Sequence, residues 1–173
     1  MKLRIAAGAG LLLAGLAGCS TTAQAPASSS LSAQDLKSLT AAYDLVQFDL
    51  AECTELGGIG VSAPTLTISH IICNDATGYQ TKLQGIAAAR NVTLPTQLSY
   101  ELQVRFIALK YHPSPNAGAQ YLHDAIGSHE EALLIFRDEV ANGQDQQIMG
   151  FDQGAIPVVQ GNLDSLRAAQ AAD

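Results

Sequence analysis

The chain has 173 residues, with 9 basic and 16 acidic side chains, a formal net charge of −7 and an isoelectric point near 4.9. That length fits one domain, and an acidic chain without a Lys/Arg-rich run lacks the electrostatic footprint of nucleic-acid binding, so no nucleic acid is expected as a partner. Hydrophobic residues make up 47% but Trp is absent and aromatics reach only 5%, so 28 Ala and 22 Leu carry the apolar mass, which favours helices over a β-sandwich.

Lys2 and Arg4 precede an apolar run from Ile5 to Leu16, which continues into Leu16-Ala17-Gly18-Cys19. A membrane span needs about 20 apolar residues, and this run gives way at once to Ser20, Thr21 and Thr22. Residues 1–18 therefore read as a secretory signal. The four residues ending at Cys19 resemble the bacterial lipobox, in which the cysteine thiol takes up the lipid and becomes the new N-terminus. That resemblance implies lipidation of Cys19 and a cell-envelope lipoprotein whose membrane partner is reached through the acyl chains. Ser20 resembles the outer-membrane sorting pattern, which points to the periplasmic face of the outer rather than the inner membrane. Without residues 1–18 the chain keeps 7 basic and 16 acidic groups, a net −9, so lipid and not charge would hold it. Residues 19–33 read as the lipidated cysteine and a solvated tether spanning roughly 20 Å. Residues 34–173 form the expected domain.

Leu36, Leu39, Tyr43, Val46, Leu50 and Cys53 recur at spacings of 3 and 4, the stripe of an amphipathic helix over about 33–57. Ser32 with Asp35 supplies its cap, and Gly57-Gly58 with Gly60 ends it. A second helix, from Pro64 to Arg90, carries Ile68, Ile72, Asp75, Tyr79, Leu83 and Ile86. After Asn91–Pro95 a short helix with Leu98, Leu102, Phe106 and Leu109 runs to His112-Pro113-Ser114-Pro115. The fourth stripe is Leu122, Ile126, His129, Leu133, Phe136 and Val140, closing at Asn142-Gly143. The last carries Ile148, Phe151, Ala155, Val159, Asn162, Leu166 and Ala169, with Pro157 expected to kink or divide it. The expectation is an all-α fold, an up-and-down four-helix bundle with one additional short helix.

The order of segments resembles a family of bacterial envelope proteins, the domains of unknown function numbered four-one-four-two. The matching stretches are Lys82-Leu83-Gln84-Gly85-Ile86-Ala87, Asn91-Val92-Thr93-Leu94-Pro95, Tyr121 to His129, Ile156-Pro157 and Asn162-Leu163. The resemblance covers about residues 35–170 and implies a ferritin-like bundle in the outer membrane or periplasm. Where the family usually has Asp-His and His-Leu pairs, this chain reads Asp75-Ala76 and Asn162-Leu163, and of those histidines only His129 remains.

Asp75, His129 and Asn162 stand on otherwise apolar stripes of three helices that a bundle brings together. A buried carboxylate and imidazole need partners, so Asp75 and His129 pair with each other, with Asn162 or with an internal water. The cluster is either a hydrogen-bond network that fixes helix register or a weak metal or small-ligand pocket with His129 as donor. A di-iron centre requires Glu-x-x-His, which is absent, and Glu52 and Glu55 are expected to face water. His70, His112 and His123 read as solvent-exposed or structural. Cys53 and Cys73 are either joined in a disulfide closing about 20 residues or two buried free thiols. Asp124, Glu131 and Asp138, seven apart, are expected to form a solvated ridge. There is no serine-hydrolase elbow, no phosphate-cradling glycine loop and no Cys-x-x-Cys-His, so neither catalysis nor a cofactor is expected. The functional expectation is a lipid-anchored periplasmic bundle acting through an unidentified protein partner or in envelope stress. The alternative is a ligand-binding module built on His129, Asp75 and Asn162.

Overall fold

The computed structural model describes residues 31–56, 60–111 and 116–172. The signal and lipidation at Cys19, most of the tether, the Gly57-Gly58 stop and His112 lie outside the described residues. Five helices follow one another: α1 (Ala33–Leu56), α2 (Ala63–Ala89), α3 (Tyr100–Tyr111), α4 (Ala117–Asn142) and α5 (Gln146–Ala172).

Local chemistry sets the ends. Ser32 and Asp35 close a reciprocal cap: Asp35 N–H donates to Ser32 Oγ at 3.1 Å, and Ser32 N–H donates to Asp35 Oδ2 at 3.1 Å. Helix α1 thus opens at Ala33, where the spacing and the cap place its start. Ser62 caps α2 by accepting from Thr65 N–H at 3.3 Å, with Pro64 in the first turn where its missing N–H costs nothing. Helix α2 ends in a Schellman motif: Val92 N–H reaches the Ala87 carbonyl at 2.9 Å, Asn91 N–H reaches Ala88 at 3.2 Å, and Asn91 takes the left-handed φ of 54°. Helix α5 runs unbroken through Pro157 instead of dividing there. Pro157 and Gln153, whose carbonyl loses its donor to the proline, both lie on the exposed face where water can take the donor's place, and burial of α5 on both sides holds the helix together.

Cross-helix bonds fix the directions. Gln34 near the start of α1 bonds Asp138 near the end of α4, and Arg90 at the end of α2 bonds Asp145 just before α5, so α1 is antiparallel to α4 and α2 to α5. Pairs α1/α2 and α4/α5 are antiparallel and most closely packed. Ser99 N–H bonds Asp44 and Lys110 bonds Glu55, so α3 runs parallel to the second half of α1, outside the four long helices and against α1 and α4. Through α3 the chain crosses back to the end at which α2 begins, leaving α2 and α4 parallel across a diagonal, so the four long helices run up, down, down and up and not in the expected up-and-down order. Cys53 and Cys73 are joined, tying α1 to α2 with their Cα atoms 6.0 Å apart.

The core face of α1 is wider than the expected stripe: Leu39, Tyr43 and Val46 of that stripe are buried, and so is a second row one position earlier. Asp35, Ser38, Ala42, Leu45, Glu52 and Leu56 are buried, whereas Leu36 is 42% exposed. Around Phe48, Leu133 and Phe136 the core is apolar, as it is around Leu122 and Leu166. Polar layers are set between and beside these clusters.

Candidate functional site

Helices α1, α2, α4 and α5 each aim polar side chains at one small cavity of about 30 Å³, lined among others by Asp49, Asp75, Tyr79, Ser128, His129 and Asn162. All three residues singled out from the sequence therefore meet. Their pairing is specific: Asn162 Nδ2 donates to Asp75 Oδ2 at 2.9 Å, while His129 bonds neither of them. His129 Nδ1 lies 2.9 Å from the Ala125 carbonyl oxygen, and because a carbonyl only accepts, Nδ1 carries the proton.

The carboxylate facing His129 is Asp49, which the sequence reading passed over. Burial pushes its carboxyl up to about 6, and the His129 ring and the Ser128 hydroxyl oppose that rise. Its Oδ1 has no hydrogen-bond partner, and neither does the Tyr79 hydroxyl, which burial and then the Asp75 charge push up to about 12. One turn along α1, Glu52 is fully buried with both oxygens unpartnered. Burial, reinforced by Asp49 and Asp124 and opposed by Arg105, holds its carboxyl well above the usual range. The expectation that Glu52 faces water is thus overturned, because the core face of α1 includes it; Glu55, half-buried, pairs with Lys110 at 2.7 Å. Tyr121, also buried and unpartnered, is raised by burial and by Asp49 and Glu52. The polar track ends in Asp124, half-buried and raised by burial against His123 and Arg105. Only Glu131 and Asp138 of the expected ridge are exposed; Asp124 belongs partly to the interior. His70 and His123 are exposed.

A second acidic layer lies near the start of α1. Asp35 Oδ1 accepts from Gln144 N–H at 2.7 Å and Asp145 N–H at 3.0 Å, so it clasps the α4–α5 turn to α1. Burial acts to raise this carboxyl, but Ser32, those two N–H groups and Glu139 hold it well below the usual range. Arg90 forks onto Asp145 at 2.6 and 2.9 Å and fastens the end of α2 to the same turn. Glu139 and Asp152, both fully buried, face this layer. Burial and then Asp35 push Glu139 up to about 7; burial pushes Asp152 up to about 7 against the Ser38 hydroxyl, which donates to its Oδ2 at 2.9 Å.

Among the described residues no three His, Cys, Asp or Glu side chains are placed to hold a metal ion. No helix among them is long and apolar enough to cross a membrane.

The family model for the domain of unknown function DUF4142 matches residues 20–169. The crystal structure of a DUF305 fragment from Deinococcus radiodurans is similar in fold, with a TM-score of 0.73 at 9% identity over 84% of this chain and 100% of that one. No curated protein matches the chain.

Proposed function

The chain belongs to the DUF4142 family, and on that premise we propose that it is a lipid-anchored, non-catalytic bundle of the bacterial cell envelope that works by contact through its outer faces. The observation that carries the non-catalytic part is the size of the cavity where the polar residues meet. At about 30 Å³ it has room for a water or two and not for an organic substrate, and the wider cleft of about 630 Å³ between α2 and α5 is lined by neither His129 nor any of the buried acids. Asn162 occupies Asp75 and the Ala125 carbonyl occupies His129 Nδ1, so this cluster serves the bundle's register. Anchorage is supported by the apolar leader and the lipobox resemblance at Cys19, and its periplasmic, outer-membrane placement by Ser20. We assign the four long helices to the ferritin-like class because α2 and α4 run parallel and are joined by a crossover through α3.

A second reading, a module that takes one small cation beside His129 and Asp75, is favoured by the unpartnered Asp49 Oδ1 at the same cavity. Metal analysis and melting of the purified chain with Zn, Cu or Fe, next to His129→Leu, separates the two. The contact reading expects no stoichiometric metal and the same metal-independent shift in the variant; co-purified metal lost in His129→Leu would overturn it. Intact mass of the protein from a bacterial host tests anchorage: a diacylglyceryl increment on Cys19, absent in Cys19→Ser, is expected, and an unmodified thiol would refute it.

A further inference from the structure

Helix α3 is apolar on two sides. Leu102, Phe106 and Leu109 face the bundle, and Leu102 and Leu109 are buried there. On the other side Tyr100, Val104, Ile107 and Tyr111, spaced 4, 3 and 4 apart, are 83%, 48%, 46% and 65% exposed. Among the described residues the remaining exposed large apolar side chains, Leu36, Ile71, Leu134 and Val158, fall one to a helix and form no stripe. We infer that the outer face of α3 rests in the headgroup region of the bilayer that holds the lipid on Cys19, so that the bundle lies along the membrane surface. The inference rests on the reading of Cys19 as lipidated.

Three observations choose a lipid surface over other occupants. The first is charge: α3 carries Glu101 against Arg105 and Lys110, a formal +1, while α1 and α4 each carry −4 and α5 −1. An acidic domain meets a phospholipid surface with least repulsion on that helix, where Arg105 is paired with Glu101 and Lys110 with Glu55 of α1. The second is shape: the stripe begins and ends in tyrosine, whose ring is apolar and whose hydroxyl stays hydrated, as suits the membrane interface. The third is area. The four side chains offer on the order of 500 Å², short of the ~800 Å² per partner of a stable protein interface, so a second copy of the chain is a poor occupant.

Chain length permits the arrangement. Helix α3 is level with the stretch of α1 from Asp44 to Glu55, so its middle lies about 25 Å along the helix from Ala33. Ser32 follows Cys19 by thirteen positions, a reach of up to about 45 Å when extended.

The chain has no Trp, so a single introduced indole reports its own surroundings. Full-length protein, processed in a bacterial host, carries Ile107→Trp or, as a control on α4, Leu134→Trp, and is reconstituted into phosphatidylethanolamine/phosphatidylcholine vesicles with lipids brominated high on the acyl chain. Val104→Trp repeats the readout at a second stripe position, and far-ultraviolet circular dichroism checks each variant's fold. Emission from positions 107 and 104 is expected to shift to the blue and to be quenched roughly twofold or more, with position 134 unchanged. Unquenched emission at 107 and 104 in protein whose mass shows the acyl groups overturns the docking and leaves the anchor standing. A protein without acyl mass overturns the anchor and the docking that rests on it. A blue shift without vesicles that grows with protein concentration gives the face to a second copy and overturns the inference as well.

Discussion

Replacing Asp152 by Asn should stabilise the protein at pH 8 and not at pH 4. Asp152 is fully buried, with Ser38 on one oxygen and nothing on the other, and its carboxyl sits at about 7 against an ordinary 3.8. Because the folded value is raised, the folded chain holds the proton that the unfolded chain has already lost. The group's contribution is therefore present in full below about pH 4 and is lost as pH rises through about 7. A rise of about three units corresponds to about 4 kcal/mol at ~1.36 kcal/mol per unit, an upper bound that structural relaxation and water entry reduce to about 2 kcal/mol. An amide of the same shape carries no charge, so Asp152→Asn should gain about 2 kcal/mol at pH 8, some 6 °C in Tm for a domain of this size. Glu139 is held up in part by the Asp152 charge, so its own value should fall in the variant. The assay is thermal melting followed at 222 nm from pH 4 to 8 on both proteins. A Tm difference of the same size at every pH, or one that is largest at pH 4, would refute the assignment of Asp152 as a buried acid kept protonated by its surroundings.

Asp35 should behave in the opposite sense: Asp35→Ala removes the acceptor of the Gln144 and Asp145 N–H groups and should cost about 3 kcal/mol at pH 7. Because its folded value is lowered, that stabilisation exists above about pH 4 and is lost as pH falls, so the penalty should shrink toward pH 2, and a pH-independent penalty in the same melts would count against it. Gly143→Ala should cost about 2 kcal/mol by denaturant titration, because a Cβ there would meet the Glu139 carboxyl and lie 2.6 Å from the Glu139 carbonyl oxygen; a neutral substitution would mean that the α4–α5 turn is looser than its contacts indicate. Reducing the Cys53–Cys73 bridge, which joins residues 20 apart, should cost about 3 kcal/mol, read as a lower Tm in reductant; two free thiols in the untreated protein would refute the bridge.

What the sequence disclosed was the set of elements. Five helices, their approximate ends and the convergence of Asp75, His129 and Asn162 follow from apolar spacing, caps and breakers, since these act over one or two turns. The breadth of the buried face of α1 and the carboxylate facing His129 did not. Positions 36, 39, 43, 46, 50 and 53 and positions 35, 38, 42, 45, 49, 52 and 56 both repeat every three and four residues, one residue apart. Hydrophobicity favours the first set because it contains Leu36 and Leu50, and excludes the second because it contains three acids. Burial covers both: Leu39, Tyr43 and Val46 of the first set are inside together with Asp35, Glu52 and Leu56 of the second, while Leu36 is out. On α5 the same substitution places Asp152 in the core position that Phe151 would fill by hydrophobicity alone.

The burial of acids beside the apolar stripe of α1 has a physical origin that bears on how the bundle is specified. An apolar stripe is counted by transfer from water, whereas a buried acid is tolerated according to what other helices bring to it, which no local window contains. Asp35 is inside because the turn between α4 and α5 presents two N–H groups, and Asp49 because α4 presents Ser128 and His129. Sliding any long helix by one turn would leave these carboxyls buried without their donors, at a cost of several kcal/mol each. An apolar core built largely from Ala and Leu discriminates poorly between such registers. The acids therefore cost stability, and in exchange they fix which turn of α1 meets which turn of α4 and α5. Neutralising Asp49, Glu139 and Asp152 together should accordingly raise Tm at pH 8 while broadening the unfolding transition; a sharper transition would show that the apolar packing sets the register without them.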